Sequence, residues 1–345
     1  MALPFPGKPS PIIHSIEWTS DLWTLDDPGI MGDTYPTSWA PDDTLFTSAG
    51  DPNYGPSYDG LDVSILHGLP PNATIEQINP MPHLIGSGGQ GAKPSGILAL
   101  GGQLILAVQN TLGYQPPAWG RDCQHGSDAS LISSKDGGIT WSDLPAKPHF
   151  PGSRFGGPSF IQYGKGDENI KDGFVYAISG DQWDNGCHLR LGRAPAESIL
   201  DIKSWSFFTG YQPNGQPLWE PWLHAAVPIL SLPNCLGLPE MVYLPAIQRY
   251  LLLTWAFPVE FDTVWGGDLI VYESEFPWGP FNFVQYDREW LAREVAPYCP
   301  RLPLKWMDSD GLGGWILTSG NYNPPADPTR PFYKPNAVAF RLKLR

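Results

Sequence analysis

Apolar residues along this chain come in short runs, each closed by Gly, Pro, Asp or Asn. One arrangement recurs: a run, a tight turn and a second run, rich in β-branched and aromatic residues, which predicts an antiparallel hairpin. The first hairpin starts at Gly32-Asp33-Thr34-Tyr35, passes Trp39, turns at Pro41-Asp42-Asp43 and returns from Leu45 to Asp51. The second starts at Lys93-Pro94-Ser95, turns at Gly101-Gly102 and returns from Leu104 to Asn110. The third starts at Arg154 and, after a longer loop, returns from Phe174 to Asp181. The fourth starts at Pro239-Glu240 and returns from Tyr250 to Trp255; the fifth starts at Arg301-Leu302-Pro303 and returns from Gly314 to Asn321.

The openings stand at positions 33, 93, 154, 240 and 301, so the intervals are 60, 61, 86 and 61. A period near 60 with one insertion predicts four-stranded blades around a channel. Outer strands follow at Ala129 to Ser133, Asp268 to Glu273 and Ala337 to Arg341. The expected fold is all-β, a single five-bladed β-propeller domain spanning residues 1–345. A β-sandwich would leave the regular repeat without a cause.

The hairpins also predict a site. A hairpin brings its two ends together, so strand starts and returning ends crowd one mouth of the channel. That mouth is expected to hold Asp33, Asp51, Lys93, Asn110, Arg154, Asp181, Glu240, Trp255, Arg301 and Asn321. Charged groups gathered in a partly enclosed mouth need a reason. Cleavage of a glycosidic bond needs two carboxyl groups, one to protonate the leaving oxygen and one to activate water or attack. Asp33 and Asp51 close one hairpin, which places them roughly 5 Å apart or on diagonal neighbours; one of them would then resist ionisation. Glu240 is the competing acid. Lys93, Arg154, Asp181, Arg301 and Asn321 are expected to contact substrate, with Trp39 and Trp255 stacking on a sugar face. The structural alternatives are a strand cap for Asp33, salt bridges for the arginines and core packing for the tryptophans. His125 is a candidate for the rim or a loop.

Composition narrows the function classes. The chain has 39 Pro, 38 Gly and only 16% charged residues, which leaves little room for long helices. Fifteen Trp, 14 Tyr and 15 Phe suit strands and an aromatic pocket. A net charge of −14 opposes wide contact with nucleic acid or an anionic membrane. No apolar run approaches the roughly 18 residues of a membrane span. No cofactor motif or metal-ligand spacing stands out. The expected partner is a carbohydrate or other small molecule, met by a monomer. Cys123, Cys187, Cys235 and Cys299 are an even set without ligand spacing, so two disulfides are expected. With the sequon Asn72-Ala73-Thr74 they favour an extracellular protein.

Two resemblances add to this. Ser134 to Trp141, SKDGGITW, resembles the Asp-box of sialidases and other propellers, a turn between outer strands of a blade in which the Asp accepts backbone N–H bonds, the glycines reverse the chain and the Trp covers it. The segments GDTYPTSW…DDTLFTSAGD, KPSGIL, FGGPSFIQYGKG and YLPAIQRYLLLTW make the chain similar, from about residue 16 to 340, to five-bladed propellers long catalogued as a domain of unknown function. Some of these are bacterial endo-D-arabinanases. That likeness implies acidic residues at the channel mouth that cleave a furanosidic or pyranosidic bond. The chain departs from it in the fourth interval, whose aromatic-rich NGQPLWEPWLHAAVPILSLPNC is expected to reshape the pocket. Two other classes remain: a cyclase-type enzyme of secondary metabolism using an aromatic pocket, and a lectin-like binder without turnover.

Overall fold

Five sheets are arranged as the five blades of a β-propeller in a computed structural model. It describes residues 5–26, 31–52, 60–81, 83–84, 92–111, 128–257, 267–291, 295–321 and 333–345. Blade 1 runs outward through Thr37–Trp39, Leu45–Gly50, Leu61–His67 and Thr74–Met81. Blade 2 comprises Lys93–Leu100, Gln103–Gln109, Asp128–Ser134 and Phe150–Pro151. Blade 3 comprises Ser159–Phe160, Phe174–Gly180, Gly186–Pro195 and Ser206–Tyr211. Blade 4 comprises Glu240–Leu244, Arg249–Ala256, Asp268–Ser274 and Asn282–Asp287. In blade 5, Tyr298–Arg301, Gly313–Gly320 and Lys334–Leu344 are completed by Ile13–Trp18 from the start of the chain. The ring is therefore closed by strand pairing, Ile16 opposite Leu342 and Trp18 opposite Phe340. Among the described residues only single-turn 3-10 segments interrupt the strands.

The alternation of side chains along each strand explains the continuous apolar runs. In Tyr250–Leu253, Tyr250 and Leu252 pack towards blade 3, while Leu251 and Leu253 pack towards blade 5. Both faces of an inner strand meet a neighbouring blade, so neither is polar. One apolar layer fills each of the five gaps between blades. Truncating a residue such as Leu253 to Ala would cost about 2–5 kcal/mol.

Two strand starts differ from expectation. Arg154 lies not on an inner strand but in the exposed 3-10 turn Ser153–Phe155, entered through Gly152 at φ 79°. The inner strand of blade 3 begins at Ser159. That of blade 5 begins at Tyr298 and ends at Arg301, with Cys299 at φ 52° breaking the register between them. The long interval before blade 4 also has another use. Pro217–Glu220 adds an outer strand to blade 3, and Leu230–Leu236 pairs along Gly186–Pro195. The insertion widens the flank of a blade.

The SKDGGITW turn follows the third strand of blade 2 and is a closed polar unit. Asp136 accepts from Thr140 N (2.9 Å) and Thr140 Oγ1 (2.6 Å), and Trp141 Nε1 donates to Gly138 O (2.9 Å). Gly137 and Gly138 take φ 71° and 93°. These bonds hold the Asp136 carboxyl down at about 2, the Thr140 side chain first. The described cysteines Cys187, Cys235 and Cys299 are free thiols, which departs from the two disulfides expected. Cys299 is sealed among Trp183, Leu238, Trp255, Phe257 and Tyr298, and burial pushes its thiol up, so it stays protonated. Cys123 and His125 lie outside the described residues.

Candidate active site at the channel mouth

Asp33 precedes the inner strand of blade 1 and exchanges two backbone hydrogen bonds with Gly50 (2.9 and 3.0 Å). That register sets Asp51 beside it, as the hairpin predicts. Asp51 then turns the chain away at φ 51°, a left-handed conformation that Asp and Asn tolerate best. Asn110 and Asn321 end the equivalent strands of blades 2 and 5 at φ 62° and 56°. The recurring acid-or-amide at these ends is thus first a backbone requirement, and only in Asp51 does it also supply a carboxylate.

Lys93, at the start of blade 2, joins the two acids. Its Nζ donates to Asp33 Oδ2 and Asp51 Oδ2, both at 2.7 Å. Tyr333 OH donates to the same two oxygens (3.1 and 3.0 Å), and Tyr298 OH donates to Asp33 Oδ2 (3.1 Å). Asp33, Lys93 and Asp51 are 1%, 3% and 7% exposed. The cluster is therefore desolvated and carries two carboxyls for one ammonium. Burial, opposed by Lys93 and reinforced by Asp51, lifts Asp33 to about 6. For Lys93 the two carboxylates outweigh burial and push it up, so it stays charged. Burial, then Asp33 and Asp51, push the Tyr333 phenol up, so it remains a donor. Asp33 Oδ1 is buried and, among the described residues, accepts no hydrogen bond. Asp33 thus has one saturated oxygen and one free, and its side chain caps no strand.

The backbone behind Asp33 is unusual. Thr34 and Tyr35 stand at φ 71° and 37°, which costs of order 1–3 kcal/mol each for such residues. Arg301 Nε donates to Thr34 O (2.9 Å), and Thr34 N donates to Ser319 Oγ (2.8 Å), so neighbouring strands hold the bend. Arg301 is completely buried and also donates through Nη1 to Glu240 Oε2 (3.0 Å) and Pro239 O (3.1 Å). Burial pushes Glu240 up and the Arg301 charge opposes it. Glu240 and Arg301 therefore form a paired channel floor that ties blades 4 and 5 to the bend at Thr34.

The remaining expected residues divide. Asn321 stands behind the mouth, its N donating to Val295 O (2.6 Å) and its carbonyl accepting from the backbone N–H of Tyr333. Trp255 has no exposed face: it lies on Gly237, donates to Leu238 O (3.2 Å) and packs against Trp183, Phe257 and Tyr298. It is a wall behind the site and cannot stack on a sugar. Trp39 sits at the far end of its strand, beside the turn that bonds Ala40 N to Thr44 O, where its Nε1 meets Asp43 Oδ1 (2.9 Å). Asp181 caps a bend by accepting from Cys187 N (2.9 Å) and His188 N (3.2 Å). Arg154 donates to Ala226 O (3.3 Å) on the flank of blade 3 and is not in the ring.

Tyr298, Tyr333 and Trp183 were not expected. Trp183 lies over Lys93, its ring centroid 5.2 Å from Nζ. Tyr298 was hidden by the break at Cys299. Tyr333 reaches the mouth from the start of a third strand, where the hairpin rule does not look.

No family model matches the sequence, and no curated protein does. Solved structures share the fold. The α-L-arabinofuranosidase from Podospora anserina, crystallised with cellotriose, aligns at TM-score 0.53 and 13% identity over 96% of this chain and 99% of that one. The catalytic domain of a Coprinopsis cinerea α-L-arabinofuranosidase aligns at 0.51 and 12% over 95% and 97%. A protein of unknown function from Dyadobacter fermentans aligns at 0.51 and 11% over 96% and 100%. At such identities the likeness establishes the five-bladed architecture that glycoside hydrolases also use, and no more.

Proposed function

We propose that this protein is a glycoside hydrolase-like enzyme that cleaves a glycosidic bond, an arabinofuranosidic one among the candidates, with Asp33 as its working carboxyl. The observation that carries the reading is Asp33 itself: buried, raised to about 6, and left with one unbonded oxygen beside a second carboxylate. A carboxyl poised near neutrality exchanges a proton with a leaving oxygen or a water at little cost. Asp51 is its partner. The two Oδ2 atoms share one ammonium at 2.7 Å each, which holds them no farther apart than the carboxyls of a retaining pair. Lys93 and Tyr333 fix the pair, and Tyr298 orients Asp33. Glu240 is the weaker acid candidate, since Arg301 already neutralises it.

The aromatic wall of Trp183, Trp255, Phe257 and Tyr298 next to this acid favours a second reading, a cyclase-type enzyme that protonates an apolar substrate. A panel of aryl glycosides, α-L-arabinofuranoside and β-xyloside included, separates them when Asp33→Asn, Asp51→Asn and Glu240→Gln are assayed beside wild type. Asp33→Asn should fold and lose at least about 10³ in kcat, roughly 4 kcal/mol of barrier. Near-wild-type turnover by Asp33→Asn removes the carboxylate mechanism. Binding without turnover by wild type leaves a lectin-like propeller.

A further inference from the structure

Arg190 is a buried cation whose Nε and Nη1 find no partner among the described residues. It lies on the Gly186–Pro195 strand of blade 3 opposite Ser179 and is 7% exposed. A guanidinium left this way is destabilising unless an anion joins it. The carboxylate nearest in charge, Asp181, has Oδ1 committed to the N–H groups of Cys187 and His188.

One cation and one carboxylate act on this guanidinium. Gly157 N donates to Ser179 Oγ (3.0 Å), which ties the turn carrying Arg154 to the residue facing Arg190. Burial and the Arg154 charge press the Arg190 guanidinium down, and the Asp181 charge opposes them. Arg154 also lines a cleft of about 320 Å³ with His149, Phe150, Phe207, Leu223 and His224, and no carboxylate is among its described lining residues. His149 Nδ1 accepts from Leu131 N (3.0 Å), so its proton sits on Nε2 and is free to donate. On a chain of net charge −14, a cleft with arginine and histidine donors on apolar walls suits an anion, and the guanidinium of Arg190, outside that lining, acts on Arg154 by charge.

We propose that Arg190 and Arg154 form a subsite for an oxyanion group, a carboxylate, sulfate or phosphate ester, carried on the substrate. The bend between the strand of Ser179 and that of Arg190 also carries Trp183, which contacts Lys93, so the subsite is one hairpin away from the mouth. Only the assignment of that oxyanion to a sugar rests on the glycosidase reading; the anion site stands without it.

Thermal melting and calorimetric titration at fixed ionic strength test it, with glucuronate, sulfate and phosphate as probes and glucose as the neutral control. Wild type and Asp33→Asn should both gain several degrees with at least one anion and none with glucose; which anion is strongest identifies the source. Arg190→Met should lose the gain and, without anion, melt at or above wild type, because a lone buried charge has gone. Arg154→Met should weaken Kd by about tenfold. No anion-dependent shift, or a shift that survives Arg190→Met, overturns the site. So does an Arg190→Met protein that melts well below wild type, which marks Arg190 as structural. Asp33→Asn that binds anion but lacks turnover supports both proposals, and anion binding beside full Asp33→Asn activity keeps the subsite and discards the carboxylate mechanism.

Discussion

Two buried charge clusters join the blades around the channel, and they are built to opposite ends. At the floor, Arg301 and Glu240 make one cation to one anion, and the guanidinium also donates to Thr34 O and Pro239 O, while its Nη2 and Glu240 Oε1 are buried without a hydrogen bond among the described residues. At the mouth, Lys93 faces two carboxyls, and Asp33 keeps an oxygen unbonded. Burial is nearly the same in both. The difference is balance. A balanced pair locks strands together, whereas an unbalanced one holds a proton loosely and is ready to give it up.

The largest expected effect tests the floor. Arg301→Met leaves Glu240 buried and unpaired and releases the bend at Thr34, so it should cost about 3–5 kcal/mol in a denaturant titration. Adding Glu240→Gln removes the stranded charge and should recover much of that loss. A single variant that melts like wild type would mean the floor locks nothing, and the contrast between the tiers would fail.

The second prediction sharpens the mouth. Asp33 is raised, so between its unfolded value of 3.8 and about 6 the folded protein keeps a proton that the unfolded chain has released. Its contribution to stability is fully present below about pH 4 and is lost as pH rises through about 6. Burial raises Asp62 to about 6 and Asp167 to about 7, which slope the same way. Asp33→Asn should therefore flatten the fall between pH 4 and 6 only in part, by on the order of 2–3 kcal/mol. It should stand more favourably against wild type at pH 8 than at pH 4.5. Parallel stability curves for the two proteins across this window would show Asp33 to be an ordinary acid.

How much of this could be read beforehand follows from which forces are local. Side-chain alternation and turn residues are local, so Tyr250–Leu253 and the hairpin of Asp33 and Asp51 were legible, and with them the five blades and half of the mouth. Lys93 was legible because it opens an inner strand without interruption. The starts of blades 3 and 5 were not. Arg154 has the sequence of a strand opening but follows Gly152 into a 3-10 turn, and Cys299 at φ 52° hides Tyr298 behind Arg301. Trp39 was placed correctly on its strand and at the wrong end of it, because the pattern gives the strand without its distance from the mouth. Trp255 sits at the mouth end but faces Gly237, and only the neighbouring blade decides that. Tyr333 and Arg190 approach from third strands, whose partners no single hairpin reveals.

The smallest effect is the finest probe of the free oxygen. Gly50 exchanges backbone bonds with Asp33, and its missing side chain leaves room in front of the acid: a Cβ there would stand 3.0 Å from Asp33 Oδ1, 3.1 Å from Lys93 Cγ and 3.2 Å from Pro94 Cδ. Gly50→Ala needs these neighbours to give by only a few tenths of an ångström, on a strand backbone that any residue adopts, so its stability cost should be about 1 kcal/mol. The new methyl presses an apolar group against the already buried Oδ1, the one oxygen not held by Lys93 or the tyrosines, and fills the space through which a proton partner would reach it. Burial already dominates the rise of Asp33, so further desolvation should carry its midpoint above 6, while Lys93 continues to hold Oδ2. Carbon-detected titration of Asp33 in the two proteins reads this directly. An upward shift with lost turnover and a nearly unchanged melt fits a mouth that works through Oδ1. An unchanged midpoint would mean that Oδ1 faces nothing that matters, and the imbalance at the mouth would then be a structural debt with no chemistry attached.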